Sequence, residues 1–393
     1  MILAFEMNTS GTVHAPGNAA TLQTIARGCP DRPIRMFAEP GHIGELRRDG
    51  FLANYPAITF VPTPPPHPMS QRGSIPSFSR FLHERAILRA ALRHVPRTDA
   101  CLIVLLSTTS TGIFAAALET MGRPNTIVHL GMHGGLNEVT GWRSRNPLLR
   151  AFDMAGALSH RWARMRYLVL DGAIRDELIR IAPVAAELTD VLPLPVNVAE
   201  VLDLMPPDLA PPVQIGFVGL ATADKGIATF LRVAAAMKAR HGDRVMFDVI
   251  GRAPPGGPAL DETALMQPIA TTHLPRDEFI RRLAALHYVF LPLFGGYYRL
   301  AASGALIDAV TWLKPLIVGR VPLVESWFTT FGDIGHLCDD AAAMTAAVDR
   351  IITEMDATRY TAQVAAIRRA RDSRTPEALG RVYADIIAAF QTA

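Results

Sequence analysis

One segment in the second half of the sequence has the residue types that can hold a phosphate group. An apolar run ends at Gly219, a short polar loop follows, and Lys225 and Gly226 come directly before a helical pattern. Backbone amides at a helix start attract an anion together with the helix dipole, and a lysine adds a positive charge. The segment contains neither a Walker loop nor a Gly-x-Gly-x-x-Gly turn, which argues against a nicotinamide cofactor. The alternative is an ordinary strand–helix turn with a solvated lysine.

A second segment further along could hold the remainder of a nucleotide. A buried strand is followed by a Gly-Gly turn and Arg299, and a helix is predicted to begin near Ser303 and Gly304. The amides at this helix start could bind a diphosphate, and Asp308, one turn further on, could accept hydrogen bonds from a ribose diol. Arg299 would add positive charge. Read separately, these residues could equally be a loop cation and a surface acid of the helix.

Polar residues also follow several strands in the first half. His133 ends an apolar strand and precedes two glycines, where it could hydrogen-bond a hydroxyl or exchange a proton near neutral pH. Asp171 ends another strand and could act as a general base or cap the next helix. Gly11, Thr12 and His14 lie in the polar loop after the first strand, where a substrate could approach. A structural role is the alternative for His133.

The elements that must position these residues form a regular alternation. Short apolar runs typical of buried strands alternate with helical patterns, which predicts parallel sheets with crossover helices. In the first half the predicted strands cover 2–6, 34–38, 58–62, 102–106, 126–133 and 167–170, with a further candidate at 191–194. In the second half they cover 215–219, 245–251, 288–293 and 316–318.

Two Rossmann-like α/β domains are the simplest arrangement of these elements. We expect an N-terminal domain over 1–198, a proline-rich hinge over 199–212 and a C-terminal domain over 213–375. A last helix is expected over 376–393 and could cross back to the first domain. Two doubly wound sheets that face each other across a cleft would bring the carboxyl ends of their strands to one site.

Composition restricts the class of protein. Apolar residues make up 49% of the 393 residues and charged residues 19%, which excludes a coiled coil or a disordered chain. No apolar run is long enough to span a membrane, and Glu6 stands where a signal peptide would need a basic flank. The three cysteines are far apart, so we expect no metal cluster. These features predict a cytoplasmic protein.

The second half resembles the donor-binding domain of GT-B glycosyltransferases, most nearly the GT4-like group and its bacterial polysaccharide branch. The resemblance is clear over about 213–340, whereas the first half is similar in architecture only. It rests on the segments Phe217–Gly219, Lys225–Gly226, Val249–Gly251, Leu274–Glu278, Tyr298–Asp308 and Leu313–Ile317.

The resemblance implies a role for several of these residues. Lys225 would contact the diphosphate of a nucleotide sugar, Asp308 its ribose, and His133 the transferred sugar. The sequence departs from the family pattern at two positions, because Leu220 replaces the usual arginine and Leu300 replaces the sugar-contacting acid. Arg299 could supply the charge that Leu220 lacks.

The charge of the chain is concentrated in its first half. Residues 1–198 contain 20 Arg, no Lys and 15 acids. Arg85, Arg89 and Arg93 recur every fourth residue on a predicted helix that also carries apolar side chains, as an interfacial helix on anionic lipid would. The alternative is solvated arginine in an arginine-rich protein. No DNA- or RNA-binding motif supports a nucleic-acid partner.

The sequence therefore predicts a glycosyltransferase that uses a nucleoside-diphosphate sugar without a metal or other cofactor. The acceptor is expected to be a saccharide, lipid-linked at the inner face of the cell membrane, and the resemblance implies retention of configuration. If the enzyme inverts instead, His133, His14 or Asp171 would be its base. Three alternatives remain: a sugar-nucleotide epimerase, a non-catalytic GT-B subunit and, more remotely, an NADP-dependent dehydrogenase.

Overall fold

Two parallel sheets with helices on both faces make up the protein. The structure is a computed structural model and describes residues 1–48, 51–68, 76–140, 145–197, 205–257 and 259–392, without the side chains of residues 148, 297, 391 and 392. The chain forms two compact units. The first comprises residues 1–197, 299–302 and 374–393, and the second comprises residues 198–298 and 303–373. Residues 199–204 of the predicted hinge lie outside the described residues.

The sheet of the first unit is seven strands wide and entirely parallel, in the order β3-β2-β1-β4-β5-β6-β7. Its strands are β1 (Ile2–Phe5), β2 (Ile34–Ala38), β3 (Ile58–Pro62), β4 (Cys101–Leu105), β5 (Thr126–Met132), β6 (Met165–Val169) and β7 (Thr189–Val191). The helices between them are α1 (Ala15–Gly28), α2 (Pro40–Arg48), α3 (Phe78–Leu92), α4 (Ser110–Thr120), α5 (Pro147–Ala151), α6 (Met154–Leu158), α7 (Gly172–Ile181) and α8 (Pro183–Ala186).

The second unit has a five-stranded parallel sheet in the order β12-β11-β10-β8-β9. Its strands are β8 (Val213–Leu220), β9 (Val245–Arg252), β10 (Tyr288–Leu291), β11 (Leu316–Gly319) and β12 (Gly335–Cys338). Its helices are α9 (Ile227–His241), α10 (Arg276–Ala285), α11 (Gly304–Thr311), α12 (Pro322–Phe331), α13 (Ala341–Glu354) and α14 (Ala357–Asp372). The last helix, α15 (Pro376–Thr392), belongs to the first unit.

The alternation of side chains along each strand divides the core of the first unit between two faces. Along β1, Leu3 and Phe5 pack into one apolar cluster, whereas Ile2 and Ala4 pack into the other. All four are fully buried, as expected for the strands of a parallel sheet that is covered on both sides.

The helix α15 packs directly on α1. A Cβ at Gly28 would lie 2.8 Å from the carbonyl oxygen of Gly380, so the two backbones approach too closely for larger side chains. The fully buried Tyr383 of α15 packs beside this contact, in the same cluster as Ile2.

The α/β class and the two Rossmann-like sheets predicted from sequence are confirmed. One local expectation was wrong, because the edge strand β7 covers Thr189–Val191 rather than 191–194. Arg93 is the C-cap of α3, which ends at Leu92, and Lys225 lies in a 3-10 turn directly before α9. The edge strand β12 was not predicted at all.

Candidate functional site

The loop between β8 and α9 depends on glycines. Gly219 has φ 108° and Gly226 has φ 78°, both in the region that other residues rarely adopt. A Cβ at Gly226 would lie 2.6 Å from Pro292 Cγ, and a Cβ at Gly251 would lie 1.8 Å from the carbonyl oxygen of Gly219. The backbone of this loop is therefore held tightly against the neighbouring strands β9 and β10.

Lys225 folds back over this loop. Its Nζ lies 3.6 Å from the position that a Cβ on Gly219 would occupy. Burial lowers the pKa of Lys225, and the negative charge of Asp308 partly opposes that shift. The structure thus brings together the lysine and the acid that sequence analysis assigned to the diphosphate and the ribose.

The helix α11 places Asp308 at this position. The Ser303 side chain caps the helix, because its Oγ accepts a hydrogen bond from the Leu306 amide at 3.2 Å. The first amides of a helix have no acceptor within it, so those after Ser303 remain suited to bind an anion. Gly304 is exposed, with no atom within 4 Å of the position that a Cβ would take.

Arg299 has a different environment from Ser303 and Asp308. Arg299 precedes Ser303 and Asp308 in sequence, but it belongs to the first unit together with residues 300–302. There its guanidinium pairs with Glu177. Glu177 also pairs with Arg180 at 2.5 Å. The positive charge of Arg299 is therefore engaged by a carboxylate, and its part in donor binding stays a prediction.

In the first unit, the residues after β1 and β5 meet. The rings of His14 and His133 are stacked, with centroids 5.6 Å apart and planes inclined by 16°. Burial and the neighbouring His14 lower the pKa of His133 to about 3, although a hydrogen bond to the Leu106 carbonyl opposes this. Desolvation of its ring also lowers the pKa of His14, although the negative charge of Glu6 opposes this shift. Both rings are therefore neutral at pH 7 and can exchange hydrogen bonds with hydroxyl groups.

A buried carboxylate lies behind this pair. Glu6, at the end of β1, is only 1% exposed. It accepts hydrogen bonds from the amides of Asn8 and Thr9 at 2.9 and 3.2 Å, from Ser107 Oγ at 2.6 Å and from Asn18 Nδ2 at 3.1 Å. Four donors compensate the cost of burying the charge and fix the start of the loop. Glu6 was not among the predicted site residues, although an acid at the end of an apolar strand was an available signal.

Two further residues hold Gly11 in place. His42 Nδ1 donates to the Gly11 carbonyl at 2.8 Å, which leaves its Nε2 to accept from Asn18 at 3.1 Å. Glu39 accepts from the amides of Gly11, Gly41 and His42 at 3.4, 2.7 and 2.9 Å, and these bonds lower its pKa. The loop that carries Thr12 and His14 is therefore fixed by the side chains of Glu39 and of His42 in α2. Thr12 itself is exposed.

Asp171 has a structural environment. It is the N-cap of α7, accepts a hydrogen bond from the Ala173 amide at 3.0 Å, and pairs with Arg374 Nη2 at 3.2 Å. Asp171 and Arg374 are both buried. Asp171 therefore caps α7 and compensates the buried charge of Arg374.

The basic helix α3 presents a mixed surface. Arg89 and Arg93 are exposed, whereas Arg85 pairs with Glu119 at 2.6 Å. Phe78 and Leu82 of the same helix are 71% and 44% exposed. Among the described residues, no helix has the length and apolar character needed to cross a membrane.

Solved structures with a similar fold match almost the whole length of the chain. A trehalose-6-phosphate synthase from E. coli, solved with UDP-2-fluoro glucose, is similar with a TM-score of 0.66 at 11% identity, over 100% of this chain and 99% of the other. HepE from Anabaena, solved with UDP-glucose, has a TM-score of 0.64 at 13% identity, over 99% of both chains.

A glycosyltransferase from Rickettsia africae has a TM-score of 0.63 at 11% identity, over 100% of this chain and 97% of the other. No protein-family model and no curated protein matches the sequence. Identities this low establish the architecture alone. The chain has the fold of the GT-B glycosyltransferases, with two Rossmann-like domains.

Proposed function

We propose that the protein is a glycosyltransferase that moves a sugar from a nucleoside-diphosphate sugar to a saccharide acceptor. One observation carries the proposal: Lys225 lies over the glycine loop of the second unit, close enough to Asp308 for their charges to interact. The fold supports it, since the solved neighbours HepE and trehalose-6-phosphate synthase hold UDP-glucose and a fluorinated UDP-glucose.

The second unit would bind the donor. The diphosphate would lie between Lys225 and the amides after Ser303, where burial strengthens the attraction between charges. Because burial already disfavours the Lys225 cation, a bound diphosphate would stabilise it and raise its pKa again. Asp308 would accept hydrogen bonds from the ribose hydroxyls.

Stabilising the leaving group would be the main catalytic task. The bond between the anomeric carbon and the phosphate oxygen breaks, and its electron pair goes to the nucleoside diphosphate. The acceptor oxygen forms the new bond to the anomeric carbon. The acceptor attacks on the face from which the phosphate departs, so its proton can pass to that phosphate, and the reaction retains configuration without a protein base. Lys225 and the helix amides would compensate the developing charge.

The environment of the candidate bases supports retention. A His133 whose pKa is lowered to about 3 takes up a proton poorly at neutral pH. Asp171 is engaged by Arg374 and by the amide of Ala173. The first unit would therefore bind the sugar and acceptor through hydrogen bonds from neutral His133 and His14 and from the loop of Gly11 and Thr12.

The acceptor is proposed to be lipid-linked and presented at an anionic membrane surface. Exposed Arg89 and Arg93 would meet lipid head groups, and exposed Phe78 and Leu82 would enter the interface beneath them. Arg85 would contribute less, because its charge is paired with Glu119.

A non-catalytic GT-B subunit is the second candidate, and one residue favours it. The family's sugar-contacting acid falls at Leu300, which is 2% exposed and packs in the core of the first unit. Such a subunit would bind the nucleotide sugar but leave it intact.

The test is the release of nucleoside diphosphate from UDP-, GDP- and ADP-sugars, with and without lipid-linked saccharide acceptors. We expect one donor to be consumed and its sugar to appear on an acceptor. The Lys225→Ala variant should lose most of this activity, whereas Lys238→Ala, which removes a lysine paired with Asp243 on the surface, should keep it. Donor binding without turnover would identify the subunit, and turnover without an acceptor would identify the epimerase.

A further inference from the structure

A cavity of about 670 Å³ opens in the first unit, away from the residues assigned to the transfer. It lies at the amino ends of β4 and β5, where Cys101, Leu102 and Ile127 line it. Gly11 and His133 follow the carboxyl ends of β1 and β5, at the opposite edge of the same sheet. The volume falls in the range of small-molecule sites.

The charged residues of this cavity are all basic. Three arginines line it, and no carboxylate is among the described residues that do. Arg166 is neutralised by Asp190, which it contacts through two hydrogen bonds of 2.8 and 2.9 Å. Arg32 and Arg164 have no ion pair among the described residues. Two uncompensated positive charges therefore face this space.

A buried histidine lines the same cavity, and one of its ring nitrogens has no hydrogen-bond partner among the described residues. His129 is 0% exposed, and its Nδ1 shares a hydrogen bond of 2.9 Å with the Tyr383 hydroxyl. Its Nε2 is buried with no hydrogen-bond partner among the described residues. A buried polar atom without a partner is costly, so a ligand oxygen at this position would remove a penalty.

Apart from Asn125, the remaining wall is apolar. Ile127 and Leu102 of the sheet line it from one side, and Ile387 and Phe390 of α15 line it from the other.

Arg164, which is exposed, has φ 62°, and its carbonyl accepts from the Val128 amide at 2.9 Å. Non-glycine residues hold this conformation at an energetic cost, and they are concentrated at functional sites.

We propose that this cavity binds one molecule of an amphipathic anion. A phosphate or carboxylate group would contact Arg32 and Arg164, and an apolar body would lie between Ile127 and Phe390. An oxygen near the apolar body would reach Nε2 of His129. Both features are needed, because the arginines select the charge and the apolar walls select the body.

The experiment uses n-octyl phosphate below its micelle concentration, with inorganic phosphate and 1-octanol as the two half-probes. Isothermal titration calorimetry on the full chain should show saturable binding of octyl phosphate at one site and much weaker binding of either half-probe. The Arg32→Gln/Arg164→Gln variant should lose about tenfold or more in affinity, as expected for the loss of two charge-assisted contacts.

The matched control removes two exposed arginines of the second unit, Arg232→Gln/Arg368→Gln, and should bind octyl phosphate like the wild type. The Lys225→Ala variant should also bind it normally, which separates this site from the donor site. Equal binding by the Arg32/Arg164 variant, or no saturable binding at all, would overturn the proposal. A half-probe that binds as tightly as octyl phosphate would do the same.

Discussion

His14 and His133 stack ring on ring, with 5.6 Å between their centroids, and so join the loop after β1 to the end of β5. His14 holds φ 62° as the N-cap of α1, a conformation that is uncommon for a residue with a Cβ. Because desolvation lowers the pKa of both rings, protonation of either one is opposed by the fold. The pair therefore offers neutral hydrogen-bonding groups to a ligand.

This pair predicts a loss of stability in acid. A histidine with a depressed folded-state pKa stabilises the fold fully above its unfolded pKa of about 6.5. That contribution falls as the pH drops through 6.5 towards the folded-state pKa of about 3 for His133. His129, lowered to about 4, adds to the same window. Urea unfolding followed from pH 7 to pH 4 should show a falling free energy of unfolding.

Replacing the ring should reduce this dependence. The slope of the unfolding free energy against pH reports how many more protons the unfolded state binds than the folded state. In His133→Asn this number should fall by up to about one between pH 6 and pH 4. The exposed His94→Asn is the matched control and should keep the wild-type slope. An unchanged slope in His133→Asn would mean that His133 titrates normally in the folded protein.

Asp308 should recognise the ribose of the donor. We expect Asp308→Ala to weaken binding of the preferred nucleoside diphosphate by about 1–3 kcal/mol, the cost of losing hydrogen bonds to a charged group. The 2′,3′-dideoxy nucleotide should bind the variant and the wild type alike, because it lacks the hydroxyls that Asp308 would contact. Calorimetric titration of each protein with each nucleotide measures the four affinities. An equal loss of affinity for both nucleotides in Asp308→Ala would show that Asp308 does not contact the ribose hydroxyls.

The glycine loop should tolerate no side chain at Gly226. Gly226→Ala forces an alanine to φ 78° and a Cβ to 2.6 Å from Pro292 Cγ, so we expect a loss of roughly 1–3 kcal/mol in unfolding free energy. Gly304→Ala is the control, since a Cβ there meets no atom within 4 Å. Urea unfolding should show a much smaller change in Gly304→Ala, and similar losses in the two variants would contradict the close packing of the loop.

Binding to anionic vesicles should depend on the exposed arginines of α3. The double variant Arg89→Ser/Arg93→Ser should bind phosphatidylserine vesicles more weakly by about 2 kcal/mol, at roughly 1 kcal/mol for each arginine near the surface. Co-sedimentation with the vesicles measures this binding. Arg85→Ser should have a smaller effect, because Arg85 is paired with Glu119. Full binding by the double variant would reject a membrane role for this helix.

The strands and the conformation of the glycine loop after β8 could be predicted because their signals are local. Apolar runs that end in glycine mark the strands of a parallel sheet, and the spacing from Gly219 to Lys225 predicts an anion site within one loop. The edge strand β12 was missed because its four residues include Gly335 and His336, so they lack an apolar run.

The rest of the site depends on tertiary contacts that no local pattern shows. Glu6 is stabilised by Asn18 and Ser107, which reach it from α1 and from the end of β4. Arg299 looks like a donor ligand beside Ser303 in sequence, but its guanidinium pairs with Glu177.

Arg80 shows the same limit within α3. It lies on the same arginine-rich helix, but it is fully buried, with its Nε 2.8 Å from Thr111 Oγ1 and 3.9 Å from a Glu84 carboxylate oxygen. The spacing of arginines along a helix predicts their faces, but it does not reveal that one of them is compensated inside the core.

Calorimetric titration with UDP, GDP and ADP, on the wild type and on Lys225→Ala, tests the central claim most directly. We expect one nucleotide to bind the wild type and to lose about 1.5–3 kcal/mol, or roughly tenfold to a hundredfold in Kd, in Lys225→Ala. Lys238→Ala should bind as the wild type does. Equal affinity of Lys225→Ala and Lys238→Ala for that nucleotide would contradict a diphosphate site at Lys225.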